Sequence, residues 1–244
     1  MNNIKHKLLV MSGKGGVGKT TIAVNLAYSL SKKGFKVGLL DVDIHGPNVP
    51  KMLNLEGKKL SSKDNKIIPM EVKDNLKVMS MAFLLNKKDA VIWRGPMKHN
   101  IIRQFIEDVE WGELDYLVID FPPGTGDEAI SISQLLKDIT GSIIVSTPQQ
   151  VALIDVVKSI DFSRKVNVPI VGLIENMAGD VFGRGGVKEL ADSKEIDFLG
   201  SLELDKEITE SGDKGEPFIK NNSRSSQSFE KIISKIISFC EKNK

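Results

Sequence analysis

Lys19 and Thr20 close an octapeptide, Gly13-Lys14-Gly15-Gly16-Val17-Gly18-Lys19-Thr20, that satisfies the phosphate-loop pattern G-x-x-x-x-G-K-[ST] in full. Glycines let such a backbone curl until successive N–H groups point at phosphate oxygens. A lysine at the end of the loop reaches the β- and γ-phosphates, and the hydroxyl after it ligates Mg²⁺. Gly13 to Thr20, with Thr21 next in line, are therefore the residues expected to hold ATP and Mg²⁺. Lys14 is surplus, because the loop needs only Lys19. A second cation directly after the first glycine fits a loop that handles more phosphate charge across a dimer. It also fits a solvated lysine.

Three carboxylates and an amide complete the chemistry. Asp41-Val42-Asp43 ends a second apolar run. Strand alternation would put both carboxylates on one side, at the strand ends where a phosphate loop also lies. Asp41 then supports Mg²⁺ through water and Asp43 positions an attacking water. An Asp-rich turn opening Ile44-His45-Gly46-Pro47-Asn48 is the other reading. Leu117-Val118-Ile119-Asp120 is an apolar strand ending in a carboxylate that holds Mg²⁺ through water. It runs into Phe121-Pro122-Pro123-Gly124-Thr125-Gly126-Asp127, where the Gly124 N–H could bond a γ-phosphate that ADP lacks, giving the loop two states. A plain connection capped by Asp127 competes with that role. Asn176 offers a donor and an acceptor that match the N6 and N7 edge of adenine, or it forms an Asx turn. His6, His45 and His99 have no ligand spacing. Arg94 could meet phosphate or a partner's acid, or lie at the surface.

These groups need a scaffold, and the chain carries one. Near-continuous Val/Ile/Leu runs at 7–12, 36–41, 76–79, 114–120, 142–146, 170–175 and 197–200 read as strands buried on both faces of a parallel sheet. Helix-period segments at 19–32, 97–109, 128–137, 151–165, 187–193, 206–211 and 226–240 alternate with them. The order predicts one domain over residues 1–244, an α/β fold of three layers with a doubly wound, mostly parallel sheet. Leu55–Pro69 is Lys/Asp/Ser-rich, with turn signals at Glu56-Gly57 and Asp64-Asn65, and reads as a surface hairpin insert. The last helix has one apolar stripe, Phe229, Ile232, Ile233, Ile236, Ile237 and Cys240, which reads as packed on the sheet in preference to a membrane surface.

Bulk composition excludes several classes. The chain has 244 residues, 41% hydrophobic, enough for one sizeable core. With 34 basic and 32 acidic residues the net charge is +2, which gives no support for a nucleic-acid surface. One cysteine, Cys240, forms no internal disulfide. The first strand leaves no room for a signal peptide, and no run approaches the roughly 20 apolar residues of a membrane span. Cytoplasmic placement is the expectation.

Taken together, these motifs resemble the Mrp/ApbC family. It is a branch of the deviant-Walker P-loop ATPases related to MinD, ParA and the nitrogenase iron protein. The resemblance rests on Gly13–Thr20 with Lys14, Asp41–Pro47, Trp93-Arg94-Gly95-Pro96-Met97, Trp111–Tyr116 running into Asp120–Asp127, and Glu175-Asn176-Met177. It implies a slow Mg²⁺-dependent ATPase that carries iron–sulfur clusters as a homodimer, with a scaffold or apo-protein client. Lys14 would reach the nucleotide of the opposite subunit. Asp43 would orient water, Asp120 would support Mg²⁺ and Asn176 would read adenine. The chain departs from the family where a Cys-x-x-Cys usually follows the Asn-Met pair, reading Ala178-Gly179-Asp180-Val181-Phe182-Gly183 instead. Two copies of Cys240 cannot supply the four ligands most clusters need. Asn48 replaces a serine, and Glu203 a proline whose backbone contact to the purine is not carried over. The missing thiolates keep a MinD/ParA-like positioning or regulatory ATPase as the alternative. A small-molecule kinase fits less well, since no acceptor pocket is evident.

Overall fold

A computed structural model of the chain describes residues 3–44, 46–64, 66–72, 75–84 and 95–243. His45, Trp93 and Arg94 lie outside these residues. The elements run β1 (Ile4–Met11), α1 (Lys19–Lys32), β2 (Val37–Asp41), α2 (Val49–Met52), β3 (Ser61–Lys63), β4 (Lys66–Ile68), β5 (Met70–Val72) and β6 (Leu76–Ser80). They continue with α3 (Gly95–Glu107), β7 (Leu114–Asp120), α4 (Asp127–Leu135), β8 (Gly141–Ser146), α5 (Gln150–Lys165) and β9 (Ile170–Ala178). The chain ends with α6 (Gly186–Ser193), β10 (Phe198–Glu203), α7 (Lys206–Lys214) and α8 (Arg224–Lys242).

The described strands form an eight-stranded sheet in the order β10-β9-β8-β1-β7-β2-β6-β5, parallel except for β5 at the edge. Period-two alternation sends Leu8 and Val10 into the apolar layer under α1 and α8. Leu9 and Met11 enter the layer under α3 and α4. Helices α5 and α6 extend that second layer over Ile144 and Leu173. With both faces covered, the inner strands carry no polar alternation, so the apolar runs were legible as strands of a parallel sheet. On α8, Phe229, Ile232, Ile233 and Ile236 are fully buried, each stabilising by about 1.5–3 kcal/mol relative to exposure.

The sheet register sets up the site. Asp41 pairs with Ser80 on one side and Asp120 on the other, and Asp120 pairs with Val10 beyond. Two carboxylates that sequence places 79 residues apart thus become neighbours at the carboxyl ends of adjacent strands.

Several boundaries differ from the sequence expectation. The insert does fold as a hairpin, β3 against β4, but β5 and α2 were not foreseen; both are too short to show a period. Strand β9 runs to Ala178, so Asn176 lies inside it rather than in an Asx turn. Helix α4 is preceded by Gly126, and Asp127 sits in its first turn, where its charge meets the helix dipole rather than capping it. Helix α8 starts earlier than its apolar stripe, because Ser223 and Ser226 form a reciprocal capping box. No described helix is long and apolar enough to cross a membrane.

Candidate nucleotide site

The loop between β1 and α1 is braced from three sides. Gly16 and Gly18 have φ of 80° and 86°, a left-handed conformation that glycine adopts without strain. At Gly18 a side chain would also collide, since its Cβ would lie 2.1 Å from the Asn176 amide nitrogen. Asn176 donates that amide to the Val17 carbonyl at 2.8 Å. The Gly124 N–H donates to the Ser12 carbonyl at 2.9 Å, and the Ser12 hydroxyl donates to the Lys14 carbonyl at 3.0 Å. Gly13 packs against the backbone of Asp155 in α5, where a Cβ would come within 2.4 Å. The loop carbonyls are thus tied to flanking elements. The N–H groups of Gly15, Gly16 and Gly18 donate to no described residue, which is the state an anion-binding nest requires.

Beneath the loop lies a buried charge cluster. Lys19 Nζ donates to Asp120 Oδ1 at 2.6 Å, and Thr20 Oγ1 donates to Asp120 Oδ2 at 2.7 Å. Asp41 Oδ2 accepts from the Ser80 hydroxyl at 2.7 Å, and its Oδ1 accepts from the Asp43 N–H at 3.1 Å. One buried ammonium therefore faces two buried carboxyls. Burial, then the neighbouring Asp120 charge, pushes the Asp41 carboxyl well above the usual carboxylate range. Burial also raises Asp120, opposed by Lys19 and Thr20. Asp41 and Asp43, expected on one side of the strand end, differ in burial. Asp41 ends β2 inside the sheet, whereas Asp43 lies beyond the strand and lines the cavity, with Oδ1 accepting from Gly46 N–H at 3.2 Å.

That cavity measures about 660 Å³, within the range of small-ligand sites. Gly15, Gly16, Gly18, Lys19, Thr20 and Thr21 form one end. Asn176, Met177, Glu203, Leu204 and Ile208 also line the cavity, Asn176 directly against the loop, as do Lys51 and Met52 of α2. Thr20 and Asp120 offer adjacent hard oxygen donors, the set that suits Mg²⁺. Lys14, Asp41, Asp120 and Gly124 do not line the cavity. The wall from α2 escaped the sequence reading, whereas β10 and α7 correspond to the elements expected at 197–200 and 206–211. Met177 carries φ of 58°, uncommon for a residue with a long side chain, and nothing in its neighbours signalled it.

Where the resembling family carries its cysteine pair, the chain makes a tight turn. Gly179 and Gly183 exchange backbone hydrogen bonds of 2.9 and 2.8 Å, and Val181 at the tip is exposed. No thiol is present there. Cys240 is fully buried on α8, and burial pushes its thiol up to about 12, which makes it inert. Among the described residues no group of three or more His, Cys, Asp or Glu could hold a metal ion.

Comparison with known proteins agrees with this geometry. An iron–sulfur cluster carrier protein of Methanocaldococcus jannaschii is 48% identical over 255 residues, covering 100% of this chain and 88% of the relative. A nucleotide-binding protein from Archaeoglobus fulgidus, solved in complex with ADP, has a TM-score of 0.79 and 36% identity over 90% of both chains. MinD from Pyrococcus horikoshii, solved with Mg-ADP, shares the fold alone, at a TM-score of 0.78 and 24% identity over 98% of both chains. Residues 3–237 match the ParA-type family described as NUBPL iron-transfer P-loop NTPase. Carrying its phosphate loop, its carboxylate-ended strands and its sheet order through nearly its whole length, the chain belongs to that family of NUBPL iron-transfer P-loop NTPases.

Proposed function

We propose that the chain is an ATP-binding and ATP-hydrolysing homodimeric switch that acts in iron–sulfur cluster assembly or transfer. The observation that carries this reading is the buried set Lys19–Asp120–Thr20 at the end of a braced phosphate loop. The name of the Methanocaldococcus jannaschii relative supports the cargo. Phosphates enter over the Gly13–Gly18 amides. Lys19 then exchanges Asp120 for phosphate oxygens. Thr20 and Asp120, backed by Asp41, would hold Mg²⁺, which would supply charge neutralisation at the phosphates.

Asp43 orients a water whose oxygen attacks the γ-phosphorus while the bond to the β-phosphate oxygen breaks, leaving ADP and phosphate. Lys14 of a second copy stabilises the charge that develops, and Asn176 reads adenine. Gly124 has two partners for its N–H, the Ser12 carbonyl or a γ-phosphate, and so senses hydrolysis. Catalysis is mostly positioning and charge stabilisation. The thiol-free turn at 178–183 favours a carrier that works beside a cysteine-bearing scaffold or client. The same turn is the one observation that favours the second reading, a MinD/ParA-like regulatory ATPase without cluster cargo.

Titration calorimetry with Mg-ATP, followed by phosphate release and light scattering, tests the nucleotide half. Micromolar binding, turnover below about 1 per second, the low end of enzyme rates, and a mass that doubles with ATP but not ADP are expected. Absence of ATP binding would remove the assignment.

A further inference from the structure

The part of the cavity wall formed by the ends of β9 and β10 carries an acceptor that the proposed chemistry leaves unused. Glu203 ends β10 and lines the cavity with Asn176, Met177 and Leu204. Pairing of β10 with β9 sets it opposite Ala178, two residues beyond Asn176. One carboxylate oxygen, Oε1, is engaged twice, by Arg184 Nη1 at 2.9 Å and by Arg224 Nη2 at 3.8 Å. The other, Oε2, accepts from no described residue. Two guanidinium groups thus steady the carboxylate through one oxygen and leave the second able to accept.

A nucleotide with its phosphates on Gly15–Thr20 would extend its base toward this wall, where Met177, Leu204 and Ile208 offer apolar contact. Asn176 already spends one amide hydrogen on the Val17 carbonyl, so a base edge there gains from a second polar reader. An ionised carboxylate accepts hydrogen bonds and cannot donate them. It therefore attracts an exocyclic amino group, as adenine presents at position 6, and repels a carbonyl oxygen, as guanine presents there. We propose that Glu203 selects adenine nucleotides by accepting a hydrogen bond from the purine 6-amino group. This rests on the nucleotide reading above and adds to it a side-chain reader of the base.

The test is calorimetric binding of ADP and of purine riboside 5′-diphosphate, which lacks only the 6-amino group. No hydrolysis is involved. Wild-type protein is expected to prefer ADP by about tenfold, the size of one charge-assisted hydrogen bond at a half-exposed site. Glu203→Ala should lower that preference about fivefold or more, mainly by weakening ADP, while Glu203→Gln, which retains an acceptor, should keep most of it. Arg184→Ala breaks the ion pair but spares the carboxylate, and should keep the preference. Equal binding of the two ligands by wild-type protein would overturn the inference, as would an unchanged preference in Glu203→Ala. Equal loss in Arg184→Ala would also overturn it, by assigning the effect to the ion pair. Failure of the wild type to bind either diphosphate would instead sink the nucleotide reading, and this inference with it.

Discussion

Lys19→Ala is expected to weaken ATP binding by about 100-fold or more, a loss of about 2.7 kcal/mol. The lysine ammonium is the buried cation at the end of the phosphate loop, and charge-assisted hydrogen bonds to phosphate are each worth about 1.5–3 kcal/mol. The substitution has a second signature in the nucleotide-free protein. Asp120 would lose the ammonium 2.6 Å away and retain only the Thr20 hydroxyl. Burial already raises its carboxyl, and removing the lysine raises it further. A carboxyl whose folded-state pKa lies above its unfolded value stabilises the fold at low pH and loses that contribution as pH rises through the folded value. Thermal melts of Lys19→Ala should therefore fall below those of wild type by a margin that widens from pH 5 to pH 8. Each 1 kcal/mol corresponds to about 2–4 °C in a chain of this size. Wild-type ATP affinity in a folded Lys19→Ala protein would contradict the phosphate-loop assignment.

Lys14→Ala should separate binding from turnover. Lys14 does not line the cavity of its own chain and forms no ion pair with a described residue. Its backbone is held through its carbonyl by the Ser12 hydroxyl, so truncating the side chain leaves the loop brace intact. ATP affinity of the monomer should change by less than about threefold, as for loss of a half-buried charge that does not line the cavity. Hydrolysis should fall by on the order of 10²-fold or more, since a cation supplied in trans to a phosphoryl-transfer site is worth 10³–10⁵ elsewhere. ATP-linked dimerisation should weaken in parallel, seen by light scattering. Unchanged phosphate release would remove the trans-acting role.

What was legible in the sequence follows from what is local. The apolar run before Gly13 and the helix after Thr20 announce β1, the loop and α1, because pattern and position lie in one stretch. Asp120 was legible for the same reason, as the polar end of an apolar strand. The contacts that organise the site are not local. Nothing near Asp41 says that β2 pairs with β7 and β6, so neither the Asp41–Asp120 adjacency nor the Ser80 hydrogen bond could be read. Asn176 was expected to meet adenine, yet its main visible partner is the Val17 carbonyl across 159 residues. The cavity wall from α2 comes from a four-residue helix too short to show a period, whereas β10 and α7 were legible as elements but not as neighbours of the loop. Cys240 was placed correctly because its spacing on α8 coincides with the buried stripe.

The central question is whether ATP at this site drives cluster movement although residues 178–183 carry no thiol. The direct measurement is anaerobic transfer of a labelled iron–sulfur cluster from a cysteine-bearing scaffold to an apo-ferredoxin, with this protein present and nucleotide varied. Transfer is predicted to accelerate with Mg-ATP, and to lose that acceleration when ADP replaces ATP or Lys19→Ala replaces the wild type. Transfer at the same rate with and without the protein, under conditions where it binds and hydrolyses ATP, would contradict the carrier reading and leave a regulatory ATPase in its place.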